Sequence, residues 1–118
     1  EEEKKKDMKT IELNHSINIF VPCTIGRKKH DTLHIAELIA KQASEKFGGA
    51  NISTSEGCYV MANGELEKEK NYNVLVYSNN ARQLNTFAEL TAESLLKTLK
   101  QETIGIAFDG VFILYAED

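Results

Sequence analysis

The sequence has no tryptophan, a single proline, two cysteines and no unbroken apolar run near the length of a membrane span. A spanning helix needs roughly 18–20 consecutive apolar residues, so no transmembrane segment is expected. One Pro and seven Gly exclude collagen-like and low-complexity chains. Cys23 and Cys58 form no CxxC pair, which removes zinc-ribbon and thioredoxin-type motifs. Isolated thiols in apolar strands are expected to be reduced and buried, acting as small hydrophobes. An excess of positive charge is also lacking: 18 acidic residues face 14 basic ones, for a net charge of −4. Nucleic acid is therefore a disfavoured partner. The phosphate loops GxxxxGK[ST] and GxGxxG are absent. No charged-then-apolar leader is visible, so the cytoplasm is the expected compartment.

What is present is a chain of 118 residues, 42% apolar and 27% charged, enough for one globular domain. Residues 1–9, EEEKKKDMK, carry no apolar period and read as a disordered charged arm, which leaves 10–118 as a single α+β domain. Over residues 11–25, Ile17, Ile19 and Val21 alternate with Asn18 and Phe20, a strand pattern that Pro22 should end. A polar loop over 24–30 follows. Asp31 or Thr32 can cap a helix whose stripe is Leu33, Ala36, Ala40, Ala43 and Phe47, stopped by Gly48-Gly49. Residues 51–62 and 65–77 form a hairpin about Asn63-Gly64, read as a two-residue type I′ turn. Its return strand starts acidic and ends apolar. Asn79 or Asn80 can cap a second helix, with Gln83 as the reciprocal partner if Asn80 is the cap; Leu84, Phe87, Ala88, Thr91, Leu95 and Leu99 trace the buried face. Ile104, Ile106 and Phe108, the Asp109-Gly110 turn and residues 111–115 complete a last hairpin. The order β-α-β-β-α-β-β predicts a two-layer ferredoxin-like sandwich (βαββαβ) with an extra C-terminal hairpin strand. The first strand should lie between the third and fourth.

Such a fold names no activity, so chemistry must be sought residue by residue. Thr24, Gly26, Arg27, Lys28, Lys29 and His30 run just ahead of the first helix. Cations near free helix N–H groups can hold an anion, and Gly26 would let the backbone approach it; Asp31 would compete for the same N–H groups. HDTLH places His30 and His34 four apart, but no third ligand is evident and no metal is expected. Glu65, Glu67 and Glu69 share one strand face, with Lys68 and Lys70 on the other; these charges suit a solvated, edge-protecting strand, or a cation or proton site. Cys23 with His30 or His15 is a weak nucleophile pair. Tyr59, Tyr72 and Tyr77 are on the sheet, where related topologies stack RNA bases; acidic neighbours favour a core or interface role.

The segments FVPCT, KFGGANISTSEGCYV, GELEKEK and KQETIGIAFDG, taken together, resemble a group of short uncharacterised bacterial and phage proteins. The resemblance spans residues 17–115. It implies a shared shape and a phage or defence context, and it marks Phe47, Gly48, Gly49, Gly57, Glu69, Gln101 and Glu102. Gln101 thereby joins the candidate ligand-binding residues, and Glu69 and Glu102 become candidate catalytic carboxylates. The expected function is a non-enzymatic oligomeric module that binds an anionic, nucleotide-like small molecule or a partner protein, without cofactor. A small phosphoesterase or nucleotide hydrolase, with Glu69 or Glu102 as base and residues 27–29 as the oxyanion clamp, is one alternative. A purely structural dimerisation protein is the other.

Overall fold

The computed structural model describes residues 7–118. Residues 7–14 carry no regular structure and are exposed; the rest of the expected arm lies outside the described residues. The elements are β1 (His15–Pro22), β2 (Thr24–Ile25), β3 (Lys28–Lys29), α1 (Leu33–Phe47), β4 (Asn51–Val60), β5 (Leu66–Ser78), α2 (Ala81–Thr98), β6 (Ile104–Phe108) and β7 (Val111–Tyr115). Five strands make an antiparallel sheet in the order β4-β5-β1-β6-β7, with β1 between β5 and β6; β2 and β3 pair separately.

The helices cover one face of the sheet. Alternation along β1 sends Ile17, Ile19 and Val21 into the core, where Val74 and Val76 of β5 and Ile104 and Ile106 of β6 meet them. Helical periodicity supplies the other layer. Ala36, Ile39 and Ala43 of α1 and Leu84, Phe87, Ala88, Thr91, Ala92, Leu95 and Leu96 of α2 are buried. Small residues on α1 allow it to lie close to the sheet, and Phe47 and Phe87 meet edge to face with ring centroids 5.6 Å apart. Gly48, at φ 92°, turns the chain out of α1 in a left-handed conformation that suits glycine.

Several local expectations change. The first strand begins at His15 and not at residue 11, because the preceding residues have no sheet neighbour. The stretch 24–30 is a two-rung ribbon and not an open loop. The Asn63-Gly64 turn is not type I′: Gly64 alone has positive φ, at 87°, and Met61 N–H donates to Glu65 O across a three-residue loop. Asn63 Oδ1 accepts the Glu65 N–H at 2.9 Å, an Asx turn that holds the chain in this longer form. Asn80 caps α2 by accepting the Gln83 N–H at 3.0 Å. Gln83 does not reciprocate, since the Asn80 N–H already donates to Ser78 Oγ. Neither cysteine is buried: both are free, Cys23 half-buried and Cys58 exposed.

The start of β1 is tied to the β6–β7 turn. Asp109, at φ 50°, accepts from His15 Nδ1 at 2.7 Å and from the Ser16 N–H at 2.8 Å. The His15 hydrogen bond, with the Ser16 N–H second, holds its carboxyl below the usual aspartate range. A depressed folded-state pKa stabilises the fold above the unfolded value, about 4, and that contribution is lost as pH falls through the folded value. Asn tolerates the same backbone conformation. Asp109→Asn should therefore lower Tm at neutral pH, and the two melting curves should converge as the pH drops below about 4; a gap that persists in acid would assign the effect to shape and not to charge.

Candidate functional site

β5 is longer than its inner neighbour. It pairs with β1 from Asn71 to Ser78 and with β4 from Leu66 to Leu75. Residues 66–70 thus run on for about 17 Å past the end of β1, with one edge unpaired by any strand. Pro22 is the last residue of β1, and after it only the Cys23 N–H continues the ladder, donating to Lys70 O at 3.1 Å. The chain then leaves the sheet and doubles back as the β2–β3 ribbon, turning at Gly26 with φ 60°.

The ribbon is anchored to the end of α2. Gly26 N–H donates to Leu99 O at 2.7 Å. Lys100 adopts φ 53°, a left-handed conformation that glycine usually fills, and the Gln101 N–H reaches back to Leu96 O at 3.1 Å. This places the Gln101 side-chain amide among the ribbon carbonyls. Its Nε2 lies 2.9 Å from Leu99 O, 3.2 Å from Gly26 O and 3.2 Å from Thr24 Oγ1.

Between the ribbon and the overhang of β5 lies a cleft of about 690 Å³. Thr24, Gly26 and Arg27 line one side, Tyr59, Glu67 and Glu69 the other, and residues 100–103 close the end. Three carboxylates, Glu67, Glu69 and Glu102, share it with the cations of Arg27 and Lys100. A second cleft of about 570 Å³ takes in Cys23, Lys29, His30 and Asp31 together with Lys68 and Lys70. A third, of about 420 Å³, opens onto the sheet face without helices. Glu69 lines all three. Gln101 borders the first and third, and Arg27 the first and second. Lys28 lines none of the three.

The start of α1 offers less to an anion than its sequence suggests. Asp31 Oδ1 accepts the Leu33 N–H at 3.0 Å, so the chain's own carboxylate occupies the first free amide. Tyr72 O–H donates to the same oxygen at 3.2 Å, and Lys70 Nζ lies 3.4 Å from that hydroxyl. The Leu33 amide first, then the Tyr72 hydroxyl, hold the Asp31 carboxyl low; the bond to Tyr72 pushes the Lys70 ammonium up. Thr32, fully buried, ties the helix start to β1 by donating to Pro22 O at 2.9 Å. Gln101 also differs from expectation: its amide nitrogen is engaged with the chain's own carbonyls, leaving only Oε1 for a ligand.

His34 enters α1 while His30 precedes it, so the two imidazoles do not share a helix face. Among the described residues no group of three His, Cys, Asp or Glu side chains converges on a metal position, and no helix is long and apolar enough to cross a membrane. Glu67 and Glu69 share the open face of β5 with Tyr77, while Lys68, Lys70 and Tyr72 take the helix side; Glu65 falls in the turn. Sequence reasoning missed Lys100, Asn71 and Thr103. The left-handed Lys100 leaves no residue-type signal, because glycine is the residue that marks such positions.

The same architecture is present in two solved structures. One is a phage SAM lyase in complex with S-methyl-5′-thioadenosine, 18% identical, with TM-score 0.65 over 95% of each chain. The other is a phage SAM lyase in the apo state, 17% identical, with TM-score 0.67 over 96% of this chain and 98% of that one. The likeness is one of fold. No protein-family model matches the sequence, and no curated protein matches it.

If Gln101 is the ribbon's clamp, Gln101→Ala should speed amide hydrogen exchange at Gly26 about fivefold, the equivalent of ~1 kcal/mol for a net hydrogen bond. An unchanged rate would show that the Gly26–Leu99 bond holds the ribbon by itself.

Proposed function

We propose that this protein binds S-adenosylmethionine in the recess beside β5 and cleaves it to S-methyl-5′-thioadenosine. The observation that carries this reading is Glu69 at the meeting of three clefts, with Glu67 and Glu102 lining the first of them as well. Two structures of phage SAM lyase that share the fold from end to end support it. So does charge. The substrate carries a sulfonium, an ammonium and a carboxylate, and a cleft with three carboxylates and two fixed cations complements that pattern. The nucleoside-like ligand of the sequence reading is retained, with a cationic centre in place of an anionic one. We also read the sandwich as ferredoxin-like with an added strand, which the position of β1 between β5 and β6 supports.

Cleavage sends the electron pair of one C–S bond to sulfur, turning the sulfonium into a neutral thioether. The four-carbon fragment balances this by giving up a proton or by closing on its own carboxylate. A carboxylate that only faced the sulfonium would stabilise the charge being lost and slow the step. Glu69 and Glu102 therefore act on the amino-acid end, holding the ammonium and steering the fragment or its proton. Arg27 and Lys100 are the cations for the substrate carboxylate. Thr24, Gly26 and the Gln101 clamp keep that wall in place, with Lys29 and His30 at the mouth of the neighbouring cleft.

Incubation with S-adenosylmethionine should release S-methyl-5′-thioadenosine, quantified by liquid chromatography. Glu69→Gln should cut kcat by about 10²–10⁴-fold, the range for a lost acid–base group, with little change in Tm because Glu69 is exposed. In heavy-oxygen water a lyase leaves the four-carbon fragment unlabelled at the moment of cleavage, whereas a hydrolase labels it. A raised Tm with substrate intact would support the non-enzymatic binding module instead, and no thioadenosine above the blank would end the lyase reading.

A further inference from the structure

The sheet face without helices carries an aromatic shelf next to this recess. Phe112 of β7 lies across Gly105 of β6: a Cβ at position 105 would come within 2.3 Å of Phe112 Cζ. A side chain there would have to displace the ring above it, and backbone angle plays no part. Phe20 of β1 meets the same ring edge-on, at 85° with centroids 5.6 Å apart. The ring is thus backed by the sheet and braced from one side, yet 57% of Phe112 stays exposed. A flat aromatic held in this way loses little freedom when a second flat ring covers it.

The shelf is part of the wall of the 420 Å³ cleft. Phe20, Gly105 and Phe112 line it together with Asn71, Thr103 and Glu69. An apolar plate and a carboxylate in one cleft complement a molecule with a flat ring at one end and a positive charge at the other.

We propose that Phe112, laid flat on Gly105, is the stacking platform for the purine base of a nucleoside sulfonium whose cationic end is held at Glu69. This inference deepens the reading given under Proposed function and rests on it for the identity of the cationic end. The base stacks on the open side of the ring, Phe20 stops the ring from tilting, and the Asn71 amide and Thr103 hydroxyl are the polar groups within reach of the ribose or base edge. A side chain at position 105 would lift the platform without touching the ligand.

The test uses the full chain and two probes: S-methyl-5′-thioadenosine, which has the base, and S-methylmethionine, which has the sulfonium but no base. Binding is followed by calorimetry and by the aromatic proton resonances of Phe112, assigned from the spectrum of Phe112→Leu. Thioadenosine should shift those resonances through its ring current. Phe112→Leu should weaken thioadenosine binding about 5- to 150-fold, the range for one base–aromatic stack, while S-methylmethionine binds as before; Phe112→Tyr should restore the affinity. Gly105→Ala should reproduce the loss, with Tm measured in parallel. Thioadenosine that binds Phe112→Leu as well as wild type, or that fails to move the Phe112 resonances, overturns the platform. Thioadenosine binding that depends on Phe112 without turnover of S-adenosylmethionine sustains the platform and ends the lyase reading. Turnover that is indifferent to Phe112 does the reverse.

Discussion

The recess depends on one mismatch of length: β5 outlasts β1. A sheet in which β1 continued to Lys70 and beyond would have paired the inner edge of β5 and left no space beside it. Pro22 marks the end of β1. Proline has no N–H for the ladder and disfavours continuation in a central strand, and β1 is central. Because the chain must leave the sheet here, residues 24–29 fold back as a separate ribbon, and the hairpin of β4 and β5 overhangs on the other side. The two structures face each other across the cleft that Glu69 lines.

A ribbon of two rungs cannot hold itself, since isolated short hairpins are marginal in water. Its rigidity is borrowed from α2. The left-handed Lys100 costs about 1–3 kcal/mol on the usual scale for strained backbone, and its effect is to aim the Gln101 amide at carbonyls of the ribbon and of the helix end. The Gly26–Leu99 bond makes the same link through the backbone. The strained residue and the amide hub adjoin a cleft, consistent with strain concentrating where geometry must be held for a ligand.

Periodicity made most of the body legible. The stripe of α1, the buried face of α2 and the Ile17-Ile19-Val21 alternation each follow from one-sided burial, and Gly48 and Asp109-Gly110 mark their turns. What escaped has physical reasons. Strands of two residues, such as β2 and β3, are too short to show a period of two. The overhang of β5 was visible as a switch from acidic to apolar residues, but a sequence does not say where a neighbouring strand stops. Asn63-Gly64 matches the two-residue turn, yet the Asx bond from Asn63 to Glu65 selects a longer loop. Of the candidate site residues, Thr24, Gly26, Arg27 and Gln101 line the first cleft, and Lys28 lines none of the three. Gln101 attracted notice through resemblance alone, and its amide nitrogen turns inward to the chain.

The sign of the charge is where the sequence and the structure part most sharply. Along the chain, residues 27–29 are a run of fixed cations before a helix, which favours an anion. In space, Asp31 occupies the first free amide of that helix, and Lys70 lies beside the Tyr72 hydroxyl that bonds the same carboxylate. Across the cleft the register of β5 presents Glu67 and Glu69, and the chain's return at residue 102 adds a third carboxylate. A doubly anionic phosphate would face those three carboxylates as well as Arg27 and Lys100, and the like charges repel it. A ligand with two positive centres and one negative one finds both signs in the same lining, so the proposed ligand is matched to the grouping of Arg27 and Lys100 with Glu67, Glu69 and Glu102, and not to the linear run of cations over residues 27–29.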